Sequence, residues 1–122
     1  MKNTILIIDD DVIYVEMLQI LFEEEGFEVV SAYHGRQALN ITSCEKVDLV
    51  LLDYQMPEMD GFEVLDCMNN NGYETKIPVI MVSANYNNDI YDSAFKKGVK
   101  YFIHKPLEWE ELRKQMNNLL QV

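Results

Sequence analysis

The polar residues best placed for chemistry stand directly behind short apolar runs. Asp9, Asp10 and Asp11 follow Thr4 to Ile8, and Asp53 follows Asp48 to Leu52. Ser83 follows Val79 to Val82, and His104 and Lys105 follow Tyr101 to Ile103. Carboxylates gathered in one place repel one another and gain proton affinity unless a cation neutralises them. A hard divalent ion suits such a group, and magnesium commonly takes one or two carboxylates and a phosphate oxygen while keeping several waters. Asp9 or Asp10 together with Asp53 meets that count. An aspartate in this setting is also a nucleophile toward phosphorus, with Ser83 donating to one phosphoryl oxygen and Lys105 neutralising another. Taken singly, each residue has an ordinary explanation. Acidic residues ahead of a helix cap its amino end, a serine after a strand makes a turn, and a lysine before Pro106 is solvated charge. Asp11 fits the capping explanation. For the others, coincidence behind one set of strands favours the chemical reading.

These residues meet only if the apolar runs lie side by side. Thr4 to Ile8, Phe27 to Ala32, Asp48 to Leu52, Val79 to Val82 and Tyr101 to Ile103 predict five strands. Between them apolar residues recur at helical intervals: Val15, Leu18 and Phe22, then Phe62, Leu65 and Met68, then Ile90 and Ala94, then Trp109, Leu112, Met116 and Leu119. The second connection predicts a helix over Gly35 to Cys44. Strands alternating with helices imply right-handed crossovers and a parallel sheet, and the continuous apolar runs Leu49 to Leu52 and Val79 to Val82 suit central strands covered on both faces. The predicted class is a doubly wound α/β fold with a five-stranded parallel sheet and five helices, for which the common strand order 2-1-3-4-5 is taken. Ligands bind such sheets beyond the carboxyl ends of the strands, where strand order reverses. That order sets the ends of strands one, three, four and five together and predicts a phosphate and cation site.

Ten lysines and arginines against 21 aspartates and glutamates leave a net charge of −11. The balance disfavours direct binding to nucleic acid or to an anionic membrane and favours a basic or divalent-cation partner. No apolar stretch approaches the ~18 residues that span a bilayer, and no charged-then-apolar segment opens the chain, so a cytoplasmic location is expected. The length suits one domain over residues 1–122. Cys44 and Cys67 lack CxxC spacing and read as small core or half-buried side chains. His34 and His104 are isolated, with loop or sheet-edge roles expected. Tyr14, Tyr73, Tyr86 and Tyr91 read as ordinary surface or half-buried residues, Glu23 to Glu25 as the solvated end of the first helix, and Asn69 to Lys76 as a loop.

In order and spacing, the motifs Ile5 to Asp10 (ILIIDD), Asp48 to Asp53 (DLVLLD), Met56 to Gly61 (MPEMDG), Val79 to Ala84 (VIMVSA) and the Lys105-Pro106 pair resemble the receiver domain of two-component response regulators. The resemblance covers essentially the whole chain and implies a flavodoxin-like receiver fold. It also implies that Asp53 accepts a phosphoryl group from a phosphohistidine on a sensor histidine kinase or a phosphotransfer protein. Asp9 and Asp10 would then hold magnesium with Asp53 and the backbone carbonyl of Gln55. Ser83 would bind the phosphoryl group, Lys105 would pair with it, and Phe102 would change rotamer as the switch. Pro57 and Gly61 would shape the loop after Asp53, Gly61 through its backbone freedom. By the same resemblance the chain is a signalling phosphoacceptor that assists its own phosphorylation and dephosphorylation, and Gln55 and Asn85 tune water access. Its output would pass to a downstream target protein or an attached output domain.

Some positions depart from the common pattern. Lys100 and Tyr101 stand where many transcription-factor receivers carry two acidic residues, and Phe102 lacks the hydroxyl of the frequent tyrosine. Lys96, Lys97 and Lys100 against Glu108, Glu110 and Glu111 offer opposite charges for a homodimer or a target protein. A rival class, the aspartate-nucleophile phosphatases, also opens with Asp-x-Asp after its first strand. Against it, Ile13 replaces their Thr or Ser, 122 residues leave no room for a cap domain, and the motif after the third strand goes unexplained. A receiver-fold binding module that is never phosphorylated would lack the acidic pair, the aspartate or the lysine. All of these are present.

Overall fold

Five-residue apolar segments with no polar gap cannot leave one face in water, and here they form a sheet covered on both sides. The computed structural model describes residues 2–70, 77–85 and 87–120. The strands are β1 (Thr4–Ile8), β2 (Glu28–Ala32), β3 (Leu49–Asp53), β4 (Val79–Ser83) and β5 (Tyr101–His104), all parallel in the order β2-β1-β3-β4-β5. The helices are α1 (Val12–Glu24), α2 (Gly35–Cys44), α3 (Gly61–Asn70), α4 (Asn88–Lys96) and α5 (Trp109–Leu120). The expected class, strand order and helix count are all met.

Alternation along the strands divides the core into two layers. Leu6, Ile8, Val50, Leu52, Val79, Met81 and Phe102 face α2, α3 and α4, meeting Ala38, Val64, Leu65, Met68 and Ala94. Ile5, Ile7, Leu49, Leu51, Ile80, Val82 and Ile103 face α1 and α5, meeting Val15, Leu18, Phe22, Leu112 and Met116. Stacked rings of Phe22 and Trp109, 5.5 Å apart, join α1 to α5. Every residue of β3 and β4 is buried, as central strands require.

Polar residues set where the helices begin. Asp11 accepts the Tyr14 N–H at the start of α1, as the capping explanation expects, and Asn87 accepts the Ile90 N–H at α4. Asp60 and Glu63 close α3 with reciprocal backbone bonds, a capping box. His34 does the same work at α2, its Nδ1 accepting the Gln37 N–H, in the loop position expected of it. Gly26 (φ 93°) and Gly98 (φ 97°) turn the chain after α1 and α4 in the left-handed region that favours glycine.

Several boundaries and roles differ from expectation. β2 starts at Glu28, because Phe27 sits in the preceding turn and packs into the α1 side of the core. β3 begins at Leu49, because the Asp48 carboxylate accepts the Thr4 N–H and anchors the strand's entrance. Asp53, Ser83 and His104 are the last residues of their strands, not the first beyond them. Cys67 is half-buried as expected, whereas Cys44 is exposed, since it falls on the last turn of α2 away from the sheet. Glu23 to Glu25 end α1 in solvent, Glu25 lying 3.8 Å from Arg113. Of the expected loop over Asn69 to Lys76, Asn69 and Asn70 belong to α3; residues 71–76, with Tyr73, lie outside the described residues, as does Tyr86.

Gly61 is needed for space and not for backbone freedom. Its φ is not positive, whereas Glu58 in the same loop takes φ 69°. A Cβ on Gly61 would stand 2.8 Å from the carbonyl oxygen of Asp53 and 3.0 Å from Tyr54 Cα, both rigid backbone. Gly61 N–H also donates to the Tyr54 carbonyl at 2.8 Å, which holds the loop this close. Gly61→Ala is therefore expected to lower stability by about 1 to 3 kcal/mol, the usual cost of overpacking. Urea unfolding midpoints check this, and an unchanged midpoint would show that the loop has room to retreat.

Candidate functional site

The register of the parallel strands decides which side chains meet. Ile8 pairs with Leu52, so Asp9 lies level with Asp53, and Asp9 N–H donates to the Ala32 carbonyl at 3.0 Å. Ser83 pairs with His104, and its carbonyl accepts the Lys105 N–H at 2.8 Å, which carries the lysine past the end of β5 toward the same edge. The peptide joining Lys105 to Pro106 is cis.

Carboxylate oxygens of Asp9, Asp10 and Asp53 all lie within 4.8 Å of one another. Asp9 and Asp53 are 4% and 5% exposed, while Asp10 opens to solvent, so two of the three charges sit where water screens them poorly. Lys105 Nζ answers them, 3.2 Å from Asp9 Oδ2 and 3.6 Å from Asp53 Oδ1. Asp9 Oδ1 also accepts the Asp11 N–H at 3.0 Å. Burial, and next the charge of Asp9, push the Asp53 carboxyl up from 3.8 to about 6, while Lys105 and a backbone hydrogen bond from Gln55 pull it down. One ammonium does not offset the crowding. An all-oxygen donor set with surplus negative charge and one solvent-facing member is what a hard divalent cation requires.

Ser83 is fully buried at the next strand end, with its hydroxyl donating to the Asn85 carbonyl at 2.7 Å and accepting the Asn85 N–H at 3.1 Å. The structure thus brings Asp9, Asp10, Asp53 and Lys105 into one cluster and holds Ser83 beside it in a local turn. Phe102 lies on the other side of β5 from Tyr101, as alternation predicts: Phe102 packs in the α2–α3–α4 layer, and Tyr101 packs toward α5, where its hydroxyl donates to Glu111. The Phe102 ring meets Tyr91 of α4 edge-on at 5.7 Å, and Tyr91 in turn meets Phe95 at 4.8 Å. His104 keeps its sheet-edge role, with Nε2 3.1 Å from the Ala84 carbonyl oxygen.

Two placements carry contacts that the sequence reading did not anticipate. Lys97 pairs with Asp66 at 2.8 Å and sits over the Phe62 ring, so its charge is engaged with α3. Tyr14 is half-buried at the cluster itself, its ring centroid 4.7 Å from Lys105 Nζ. Burial, then Asp9, Asp53 and Asp11, push its hydroxyl up to about 12, so it stays protonated. Helical spacing makes Tyr14 a flank of the Val15 and Leu18 stripe, and no sequence signal shows that a lysine ninety-one positions later lies over it. Ile13 is 80% exposed, so the position where an aspartate-nucleophile phosphatase places a hydroxyl points away from the cluster.

The family model for the response regulator receiver domain matches residues 5–117. Sporulation initiation phosphotransferase F of Bacillus subtilis is 34% identical over 120 residues, covering 98% of this chain and 95% of that protein. Response regulator GtcR of Aneurinibacillus migulanus is 37% identical over 106 residues, covering 87% of this chain and 43% of its own length. Against Regulatory protein AtoC of Escherichia coli, 36% identical over 120 residues, the chain spans 26% of the relative's length. The chain thus spans about half or less of several curated relatives it matches. Among solved structures, the receiver domain of Francisella response regulator 1452 superposes with a TM-score of 0.91 at 27% identity, covering 98% of each chain. With the family match, the relatives and the strand order agreeing, the chain belongs to the receiver domains of two-component response regulators, the signalling phosphoacceptors of that system.

Proposed function

We propose that Asp53 is the phosphoacceptor of this receiver and that Asp9, Asp10 and Asp53 hold magnesium, with the backbone carbonyl of Gln55 as a further oxygen ligand. The observation that carries the reading is the buried Asp53 carboxylate, within 4.8 Å of two other carboxylates and 3.6 Å from an ammonium. Bound there, magnesium supplies shielding between an anionic nucleophile and an anionic phosphoryl group. The Asp53 oxygen forms a P–O bond as the donor's bond to phosphorus breaks. For a phosphohistidine that is a P–N bond, whose electron pair returns to the imidazole. Lys105 is poised to follow the charge from Asp53 to a phosphoryl oxygen, a movement of one ammonium within reach of both. Ser83 gives up its turn with Asn85 to donate to another oxygen, drawing the start of α4 inward. Phe102 then repacks against Tyr91, which changes the surface of α4, β5 and α5 that a target protein or output domain reads. Hydrolysis by water returns the carboxylate and inorganic phosphate, with Gln55 and Asn85 setting the access of that water. This self-assisted cycle makes the chain a switch and not a turnover enzyme.

The donor is a sensor histidine kinase or a phosphotransfer protein. Val12, Ile13, Met17 and Ile20 of α1 are 47%, 80%, 50% and 60% exposed. These exposed apolar residues begin two positions after Asp10, with the exposed Glu16 among them, and give a protein donor a surface to cover.

Three outcomes check the reading. With magnesium and acetyl phosphate the intact mass should rise by one phosphoryl group, and Asp53→Asn should take up none; an adduct that survives in Asp53→Asn would refute it. Magnesium should raise the melting temperature of the parent and do so far less in Asp10→Ala. Equal shifts would place the ion elsewhere. The third outcome is a pH dependence. Because the Asp53 carboxyl is pushed up from the ordinary 3.8 to about 6 on folding, the folded state binds the extra proton between those values. Metal-free stability from this group therefore falls as pH rises from about 4 to about 6, by roughly 2 to 3 kcal/mol. Metal-free Asp53→Asn should accordingly be more stable than the parent at pH 7.5, with the gap closing toward pH 4 in urea titrations.

A further inference from the structure

The Lys105 ammonium rides on a flexible four-carbon stem, with three N–H bonds to satisfy. Two of its neighbours are carboxylates, Asp9 Oδ2 at 3.2 Å and Asp53 Oδ1 at 3.6 Å. A third is the ring of Tyr14, 4.7 Å from Nζ to centroid. Tyr14 reaches this point from the first turn of α1, which Asp11 fixes by accepting the Tyr14 N–H. A ring face attracts an ammonium through its quadrupole, more strongly where solvent is thin. Unlike another carboxylate, it adds no negative charge to a cluster that already holds three. The Tyr14 hydroxyl is buried and makes no hydrogen bond among the described residues, so the residue's contact with the site is made by its ring.

We propose that Tyr14 is a positioning residue for phosphoryl transfer, its ring face holding the Lys105 ammonium at the Asp9 and Asp53 carboxylates before the phosphoryl group arrives. The proposal rests on Asp53 being the phosphoacceptor. Its physical content is pre-organisation: the lysine loses rotamer freedom on folding, so that loss does not recur as the transition state forms. Without the ring, the side chain, 25% exposed, has a solvated alternative to the site.

The test compares the parent, Tyr14→Leu, Tyr14→Phe, Lys105→Ala and the Tyr14→Leu, Lys105→Ala double variant, following phosphate uptake by intact mass over a range of acetyl phosphate with saturating magnesium. Tyr14→Leu keeps apolar volume but has no ring; its maximal rate should fall about three- to tenfold, with the half-saturating concentration little changed. Tyr14→Phe keeps the ring and should restore the rate lost in Tyr14→Leu. In the Lys105→Ala background, Tyr14→Leu should slow uptake no further. A Tyr14→Leu rate equal to the parent, a Tyr14→Phe rate as low as Tyr14→Leu, or equal slowing with and without Lys105 would each overturn the proposal. Should Tyr14→Leu fail to fold, the parent alone decides: ring current should move the Lys105 Cε protons upfield of those of Lys96 and Lys100, and unshifted protons would overturn it. A parent that takes up no phosphate would instead refute Asp53 as phosphoacceptor, a result distinct from any difference among the variants.

Discussion

Asp9 and Asp53 repel each other across a parallel register that the buried sheet will not let slip. Their strands pair residue for residue, Ile5 with Leu49 through Ile8 with Leu52, and both are covered on both faces. Moving either strand by one position would turn its apolar side chains to the wrong layer. The core therefore holds two carboxylates together although their charges oppose it. Burial first, and the charge of Asp9 second, raise the proton affinity of Asp53, and Lys105 answers part of it. Strain of this kind, over-determined by its surroundings, is what makes a site respond to a cation or to a transferred phosphoryl group.

The other strand ends depend on the same register. Ser83 and Lys105 come to the site from β4 and β5, linked by the hydrogen bond from the Lys105 N–H to the Ser83 carbonyl. Any shift of Ser83 is thus felt by the backbone that carries Lys105, and one residue before that backbone lies His104, bonded to the Ala84 carbonyl. Phe102, three residues before Lys105, is packed against Tyr91 of the helix that Ser83 leads into. A change at the acidic cluster has a continuous covalent and packed route to α4 and β5.

The two sides of the sheet divide the work. α1 and α5 share one core layer, and α1 carries both the cap beside the acidic pair and a row of exposed apolar residues. The opposite layer contains Phe102, Ala94 and the helices α2 to α4. The acidic pair's cap lies on the α1 side, and the Phe102, Tyr91 and Phe95 ring contacts lie across the sheet. Gly61 closes the remaining edge by letting the loop after β3 lie against the Asp53 carbonyl, closer than any side chain would permit.

The chain's own order of residues already determined the fold class, the strand order and the meeting of Asp9, Asp10, Asp53 and Lys105. The class follows from local periodicity, the order from the common arrangement of five-stranded doubly wound sheets, and the meeting from the rule that residues behind parallel strands converge at one edge. Local pattern also marked Asp11 as a cap, since capping is a contact between near neighbours. What tertiary structure alone decided are contacts between residues far apart with no pattern joining them. Tyr14 under Lys105 is one, Lys97 drawn to Asp66 on α3 is another, and the lack of room at Gly61 is a third. Each depends on where two surfaces come to rest to within an ångström or two. Such distances are set by the packing of the whole core, and periodicity along a single segment carries no information about them.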